Sequence, residues 1–290
     1  MTQLQSRQVV IDGVGSPVLI GGTGATTEAV VFVHGNPGAG SDWESLMSLV
    51  GEFATVVAPD LPGFGGADSS ANRDYTVSAY AAHLGAVIDQ LGMSTVHLVA
   101  HDFGGPFALA WAAANPDRIA SVTLINTGLL LDYKWHRLAR VWRTPLAGEL
   151  LMRTTTRSVA RLLVRHDNPG LPEKWVNRIV EHLLPGATKR AVLRLYRSTS
   201  AADMDALIEP LRRGDPDMLV VFGAADVYIP VAQAERQRRV FPRARIEILP
   251  GVGHWAWLEQ PDRVAGLVVP FLRERVGANV QKSIKQRELR

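Results

Sequence analysis

The sequence predicts an α/β protein built on a mostly parallel central sheet flanked by helices. Apolar runs typical of buried strands alternate with segments of helical spacing through most of the 290 residues. This alternation is typical of parallel strands joined by crossover helices. Between residue 127 and about residue 211 it gives way to helix-like segments rich in Arg and Leu. We therefore expect one α/β core with a helical insertion.

The core strands and helices follow in order from the apolar pattern. The chain opens with a hairpin around Asp12-Gly13, expected at the sheet edge, and a polar loop over residues 21–28 separates it from the first fully buried strand. The predicted strands are 8–11, 18–20, 29–33, 54–58, 95–99, 119–125, 218–222 and 245–249, and the predicted core helices are 77–91, 105–114 and 261–276.

The insertion follows the sixth predicted strand. It leaves the sheet at the carboxyl ends of the strands, where ligands bind in open α/β folds, so we interpret it as a helical lid over the site. The predicted domains are a core of residues 1–127 and 212–276, a helical lid (cap) of residues 128–211, and a basic tail of residues 277–290 with no predicted function.

Composition is that of an ordinary soluble enzyme, with 47% hydrophobic and 20% charged residues. No apolar run approaches the ~18 residues of a membrane span, and the first residues lack the pattern of a secretory signal. We therefore expect a cytoplasmic protein without a membrane partner. The sequence has no cysteine, which excludes a thiolate nucleophile and a cysteine metal site.

Positive charge is concentrated in the insertion, where residues 132–213 hold 16 Lys and Arg against 8 Asp and Glu. Arg153, Arg157, Arg161 and Arg165 recur every four residues, which is typical of one exposed helix face. Because the segment has no recognisable nucleic-acid-binding motif, we expect no nucleic-acid partner. The protein is expected to be a monomer or a homodimer.

Asp102 is the predicted nucleophile. It follows a buried strand and precedes a helix, and the small residues Ala100, Gly104 and Gly105 allow a sharp turn that presents its side chain. A carboxylate can attack an electrophilic sp³ carbon, which points to epoxides or alkyl halides rather than esters. The alternative is that Asp102 only caps the helix.

His254 is the predicted base that activates water, because it lies in a Gly-rich loop after the last strand. Asp226 follows the preceding strand and is expected to orient His254, although it could instead cap a helix near Pro230. His101 is expected to support the site. The remaining histidines outside the 34–37 loop are expected to be packing or surface residues: His83, His97, His136, His166 and His182.

Charge that develops on the Asp102 ester oxygen requires preorganised donors. The backbone N–H of Phe103, at the start of the helix, is one candidate. The N–H of Asn36, in the loop after the strand at 29–33, is the other. Alternatively, the sequence H-G-N-P at 34–37 is only a turn.

These pieces resemble the α/β-hydrolase superfamily over nearly the whole chain, and Asp102 resembles the nucleophile of its epoxide hydrolases and haloalkane dehalogenases. The resemblance implies the α/β-hydrolase fold with a lid after the sixth strand, and no cofactor or metal. Its motifs are H-G-N-P at 34–37, D-L-P-G-F-G at 60–65, H-D-F-G-G at 101–105, G-A-A-D-V-Y-I-P at 223–230 and G-H-W at 253–255.

The resemblance also implies that a lid tyrosine protonates the epoxide oxygen. Tyr196 is similar to the second of the two tyrosines used by epoxide hydrolases, whereas the first has no clear match and its place falls to Tyr133, Trp135 or Trp142. The expected small, apolar, electrophilic substrate would also contact His34, Pro37 and Trp255.

Haloalkane dehalogenases are the alternative within this resemblance. They cradle halide with an Asn, for which Asn36 fits, and with an indole N–H directly after the nucleophile, where Phe103 offers none. Fluoroacetate dehalogenases carry Arg at that position. We therefore expect an epoxide hydrolase, with a dehalogenase, another hydrolase activity or a ligand-binding protein on the same scaffold as alternatives.

Overall fold

A sheet of eight strands forms the centre of the molecule. The computed structural model describes residues 2–23, 27–69 and 73–277. The strand order is β1-β2-β4-β3-β5-β6-β7-β8, with β1 and β2 antiparallel at one edge and the other six strands mutually parallel. The strands are β1 (Gln5–Ile11), β2 (Val14–Gly22), β3 (Glu28–Val33), β4 (Thr55–Pro59), β5 (Thr95–His101), β6 (Ile119–Ile125), β7 (Asp217–Gly223) and β8 (Arg245–Leu249).

The central strands are mostly apolar, as expected of a sheet whose two faces are both covered by helices. The helices α2 (Val77–Gln90) and α3 (Gly104–Ala114) pack on one face, and α1 (Glu44–Val50) and α12 (Pro261–Arg273) pack on the other. In the parallel register Val33 of β3 pairs with Ala100 of β5. The loops that follow these two strands therefore lie side by side.

The insertion forms six helices between β6 and β7. They are α4 (Arg137–Arg143), α5 (Ala147–Thr154), α6 (Arg157–Asp167), α7 (Glu173–Leu183), α8 (Gly186–Ser198) and α9 (Ala201–Gly214). The helix α9 packs against α3 of the core. Two short helices, α10 (Ala232–Arg236) and α11 (Ala256–Glu259), follow β7 and β8.

The predicted continuous arginine face is wrong in one respect. Arg153 belongs to α5, whereas Arg157, Arg161 and Arg165 belong to α6. The Thr156 hydroxyl accepts the Val159 N–H and caps α6, which separates the two helices. All four arginines are exposed, as expected.

The opening hairpin and the loop that follows it differ slightly from the prediction. The opening hairpin is longer than the alternating pattern indicated, and its turn places Asp12 and Gly13 at φ values of 51° and 77°. The predicted loop at 21–28 is shorter, since β2 runs to Gly22 and β3 begins at Glu28. The predicted tail lies outside the described residues, apart from Gly277. No helix within the described ranges is long and apolar enough to cross a bilayer.

Candidate active site

Asp102 occupies the tip of the turn between β5 and α3. Its φ is 49°, in the left-handed region that is uncommon for residues other than glycine. The turn fits closely against the loop after β3, since a Cβ added to Gly35 would lie 2.4 Å from the Asp102 Cβ, and one added to Gly104 would lie 2.3 Å from the Val33 carbonyl oxygen. Only glycine at these two positions allows the approach that presents Asp102 to the cavity.

Asp102, His254 and Asp226 meet at the carboxyl end of the sheet. The Nδ1–H of His254 donates to Asp226 Oδ2 at 2.7 Å, and Nε2 of the same ring lies 3.6 Å from Asp102 Oδ2. All three residues are buried. Because Asp226 fixes the Nδ1–H tautomer, the other ring nitrogen faces the Asp102 carboxylate.

Asp226 is fixed by more than its histidine. Its Oδ1 accepts the N–H groups of Tyr228 and Ile229 at 2.8 and 2.9 Å, and its Oδ2 accepts from Asn126 Nδ2 at 2.9 Å. Helix α10 begins at Ala232 with Val231 as its N-cap residue. The alternative that Asp226 caps this helix is therefore wrong.

Sequence analysis missed Asn126. It follows β6, adopts a φ of 47° and is fully buried. Besides Asp226, its amide accepts from the Gly223 N–H at 3.0 Å and donates to the Gly253 carbonyl at 3.3 Å. One side chain thus ties together the loops that carry Asp226 and His254. A polar residue at the carboxyl end of a buried strand was the available signal.

The charges of Asp102 and His254 stabilise each other. Burial opposes charge on His254, but the Asp226 and Asp102 carboxylates raise its pKa to about 10. Burial likewise opposes charge on Asp102, but the hydrogen bonding and charge of His254, with the Asn36 N–H, lower the Asp102 pKa to about 2. In the free protein at neutral pH the pair is therefore carboxylate and imidazolium.

His101 lies behind the site, as expected. Its ring is buried 4.5 Å from that of His254, and its Nε2–H donates to the His254 carbonyl at 3.1 Å. Burial, together with the nearby His254 charge, lowers the pKa of His101. A neutral His101 supports the loop that carries His254.

The loop after β3 supplies a donor to Asp102. The Asn36 N–H donates to Asp102 Oδ1 at 2.8 Å, and Phe103 is the N-cap residue of α3. The Asn36–Pro37 peptide bond is cis. The position predicted for an oxyanion donor therefore already binds an oxygen of the Asp102 carboxylate.

A cavity that is partly open to solvent lies between this end of the sheet and the lid. Asn36, Asp102, Phe103 and His254 contribute to its floor. The side chains above are apolar and aromatic, and no Lys or Arg of the described chain is among the lining residues. Five of the six predicted substrate contacts line it: Pro37, Tyr133, Trp135, Trp142 and Trp255.

His34 is the exception and corrects the prediction of a substrate contact. Its Nε2 accepts the Leu61 N–H at 2.9 Å, and its Nδ1–H donates to the Gly35 carbonyl at 2.8 Å. Burial lowers the pKa of His34. The neutral ring braces the loop beneath the cavity because both of its nitrogens are used there.

Tyr196 lies above the nucleophile. Its ring packs edge to face on Phe103 with centroids 4.9 Å apart, and its side chain is buried. Burial and the Asp102 charge raise the pKa of Tyr196. Its hydroxyl therefore keeps its proton at neutral pH. Tyr133 differs, because its hydroxyl donates to the Tyr228 carbonyl at 2.8 Å.

His136, predicted to be a packing or surface residue, lines the cavity instead. Its Nδ1 accepts the Ala139 N–H at 3.3 Å and caps α4, which leaves the proton on Nε2, 3.4 Å from the Tyr196 hydroxyl oxygen. Burial lowers the pKa of His136 to about 4, so the ring is neutral at pH 7. The position of His136 directly before a helix, in a stretch rich in aromatic residues, was the sequence signal that could have indicated a cavity residue.

Asn168 of the lid also reaches the site. It is buried, its Oδ1 accepts the His254 N–H at 3.3 Å, and its Nδ2 donates to the Tyr228 hydroxyl at 3.4 Å. Nothing in the pattern around Pro169-Gly170 singled it out. Among the described residues no group of His, Asp and Glu is arranged to hold a metal ion.

Residues 28–261 match the family described as the alpha/beta hydrolase fold. The chain belongs to this family. It is 26% identical over 288 residues to a 2-hydroxymuconate semialdehyde hydrolase of Pseudomonas sp. (strain CF600), covering 94% of this chain and 96% of the relative.

Solved structures repeat the fold. The Cif epoxide hydrolase from Acinetobacter nosocomialis superposes with a TM-score of 0.80 at 20% identity, covering 93% of this chain and 89% of that chain. A 2-hydroxy-6-oxo-6-phenylhexa-2,4-dienoate hydrolase from Rhodococcus sp. strain RHA1 superposes with a TM-score of 0.79 at 21% identity, covering 94% and 100%. The protein is a hydrolase of this fold.

Proposed function

We propose that the protein opens an epoxide to a vicinal diol through an ester on Asp102. The observation that carries this proposal is a buried carboxylate at the tip of the turn, where relatives of this fold usually have serine. Asp102 lines one cavity together with His254 and Tyr196. A carboxylate, a base and a proton donor are the groups that epoxide hydrolysis requires.

In the first half-reaction Asp102 attacks one epoxide carbon and the carbon–oxygen bond of the ring breaks. The released oxygen takes a proton from the Tyr196 hydroxyl. His136 supports this step, since its Nε2–H donates to the Tyr196 oxygen and thereby directs the tyrosine's own proton elsewhere, into the cavity. The Asn36 Oδ1, a buried acceptor with no partner among the described residues, lines the same cavity.

In the second half-reaction His254 removes a proton from water, and the hydroxide attacks the ester carbonyl carbon of Asp102. The oxyanion that forms is stabilised by the Asn36 N–H, which already donates to this side chain. Collapse breaks the bond between the Asp102 carbonyl carbon and the alkyl oxygen. The departing oxygen takes the proton of the added hydroxyl group, which releases the diol and leaves Asp102 as a carboxylate. Asp226 stabilises the imidazolium through its bond to Nδ1.

The proposed proton transfers return His254 and Tyr196 to their starting protonation states. Esterification removes the negative charge of Asp102, one of the two carboxylates that raise the pKa of His254. The pKa of His254 therefore falls in the ester. Its proton passes to the Tyr196 oxygen and replaces the proton that Tyr196 gave to the epoxide oxygen. Neutral His254 then serves as the base for the second step, which restores carboxylate and imidazolium.

The cavity argues against the dienoate hydrolysis named for some of the relatives. A dienoate carries a carboxylate, and burying it without a cation or several donors is costly. No Lys or Arg of the described residues lines this cavity. A neutral, apolar epoxide fits the lining better. A haloalkane remains the second candidate substrate, but Phe103 supplies no N–H for halide.

Oxygen labelling in a single turnover tests the proposal. Enzyme in excess over styrene oxide is reacted in H₂¹⁸O. We expect an unlabelled diol and ¹⁸O on the peptide that contains Asp102, because water attacks the ester carbonyl. A labelled diol with an unlabelled peptide would mean direct attack of water and would contradict the proposal, as would the absence of diol with every epoxide of an aryl and alkyl panel.

A further inference from the structure

The outer side of the lid carries exposed apolar side chains. Leu146, Leu162 and Leu150 are 83%, 69% and 64% exposed, and Val141 and Val159 are exposed as well. These five residues, here called the lid's apolar face, lie between residues 141 and 162 on α4, α5, α6 and the turn before α5. Single exposed apolar residues are normal, whereas such a concentration marks an interaction surface.

The helices that carry this face are apolar on both sides. Leu151 and Met152 of α5, like Leu163 and Val164 of α6, line the cavity. The lid's apolar face therefore points away from the cavity, on the outside of the molecule. Leu146, its most exposed member, also holds a φ of 67°, a conformation that is costly for a leucine. These side chains stay exposed in the part of the chain that the structure describes, so packing within it does not account for an apolar residue at these positions.

The same segment is strongly cationic. Residues 133–166 contain eight Lys or Arg and a single acidic residue, Glu149, which gives a formal net charge of +7. Within the part of the chain that the structure describes, Arg137, Arg140 and Arg153 are exposed and have no acidic partner. The arginines of α6 pair with Glu173 and Glu181 at the flank of α7. The segment that carries the exposed apolar side chains is therefore also positively charged.

The exposed apolar side chains and the positive charge together indicate which kind of partner fits this surface. A second copy would bring one cationic face against another, so like-charge repulsion opposes a dimer here. Nucleic acid would satisfy the arginines but leave the leucines in water. An anionic lipid surface satisfies both, since Leu side chains enter the boundary between headgroups and acyl chains while Arg side chains bind the headgroups.

We propose that the lid's apolar face docks the protein on anionic membrane surfaces and places the cavity beside a phase in which apolar substrates concentrate. Docking of this kind requires no spanning helix. The proposal replaces the expectation of no membrane partner, which considered only spanning segments. It does not depend on the reaction, because the Asp102 side chain takes no part in it.

Flotation with vesicles tests the proposal on the full chain. We expect the wild type to float with vesicles of phosphatidylcholine mixed with phosphatidylglycerol, to remain in solution with phosphatidylcholine alone, and to be partly released by raised salt. Asp102→Asn should float like the wild type. A failure of the lipid-docking proposal can therefore be distinguished from a failure of the proposed chemistry.

Two sets of variants locate the contact. Leu146→Asp with Leu150→Asp should lower the partition coefficient on mixed vesicles by about tenfold per leucine, and Arg137→Gln, Arg140→Gln and Arg153→Gln by about fivefold each. Val10→Asp, at a 56% exposed valine of β1, is the matched control and should bind like the wild type. Melting temperatures verify folding, with Leu162→Asp as a substitute if the leucine pair fails to fold.

A wild type that stays in solution with mixed vesicles at low salt would overturn the proposal. Flotation of the leucine variants equal to that of the wild type would do the same. A wild-type dimer that the leucine pair disperses, or binding of duplex DNA without binding of vesicles, would assign the face to a second copy or to nucleic acid instead.

Discussion

The core of the site and its lid hold their side chains in different ways. Asp102, Asp226 and His254 stand on loops at the ends of parallel strands, and short hydrogen bonds fix them, among them the 2.7 Å bond between His254 and Asp226. The lid side chains stand on short helices. Tyr196 and Trp142, for example, are placed by ring packing with centroids 4.9 Å apart.

Hydrogen bonds and ion pairs join these two regions at several points. Asp42, buried in the core, accepts from Arg178 at 2.9 Å and from His182 at 3.0 Å on α7. Asn168 accepts the His254 N–H. In the proposed mechanism the core would form and hydrolyse the ester, while the lid would supply the proton and shape the substrate cavity. Substitutions in the two regions should therefore have different effects on turnover.

The largest effect is expected at the nucleophile. Asp102→Asn should reduce turnover of styrene oxide by roughly 10⁴- to 10⁶-fold, since the amide has the shape of the carboxylate but is a poor nucleophile. The melting temperature should change little. Full residual activity would remove Asp102 from the mechanism, whereas slow recovery on incubation would reflect deamidation to Asp.

The lid donor should matter next. Tyr196→Phe is expected to slow epoxide opening by roughly 10²- to 10⁴-fold and to spare any haloalkane turnover, because only the epoxide oxygen needs a proton. Tyr133→Phe is the matched control, since that hydroxyl donates to a backbone carbonyl. Equal losses on both substrate classes would mean that Tyr196 is structural.

The charge pair should leave a signature in stability against pH. Because the folded pKa of His254 lies above the ~6.5 of an unfolded chain, its contribution is complete below that pH and is lost as pH rises through about 10. The depressed pKa of Asp102 acts oppositely, with its contribution present above ~3.9 and lost as pH falls through about 2.

Denaturant unfolding at several pH values measures this effect. The wild type should lose unfolding free energy between pH ~6.5 and ~10, and His254→Gln should lose less over the same range because it has no imidazolium to deprotonate. Parallel curves for the two proteins would show that His254 is not held in its charged form.

The smallest effect is expected where the lid meets the core. Asn168→Ala should lower turnover by about fivefold, the equivalent of one hydrogen bond of ~1 kcal/mol to the His254 backbone. Asn177→Ala, on α7, serves as control. If Asn168→Ala left both turnover and stability unchanged, the lid would not position the His254 loop.

The sequence was sufficient for the core of the site because turn chemistry is local. Asp102 among small residues, and His254 and Asp226 after consecutive strands, could be placed from parallel-sheet topology alone. Asn126 escaped notice because its bonds join loops about a hundred residues apart along the chain.

The lid resisted prediction for a different physical reason. Its helices are short, and α5 and α6 carry apolar residues on two sides, so their spacing cannot show which face meets the cavity. His136 was therefore set aside with the surface histidines, and Tyr133 was kept as a donor although its proton is engaged elsewhere. His34 was assigned to substrate because its loop, rather than its ring, reaches the cavity.

Trapping of the ester on His254→Gln tests the central claim most directly, because Asp102 should attack carbon without help from the base while hydrolysis requires it. After exposure to an epoxide that the wild type turns over, intact-mass measurement should show a stable adduct equal to the whole epoxide, or to the alkyl group alone for a haloalkane. The adduct should map to the peptide that contains Asp102 and be missing from the double variant with Asp102→Asn. A His254→Gln protein without an adduct would contradict the two-step covalent mechanism.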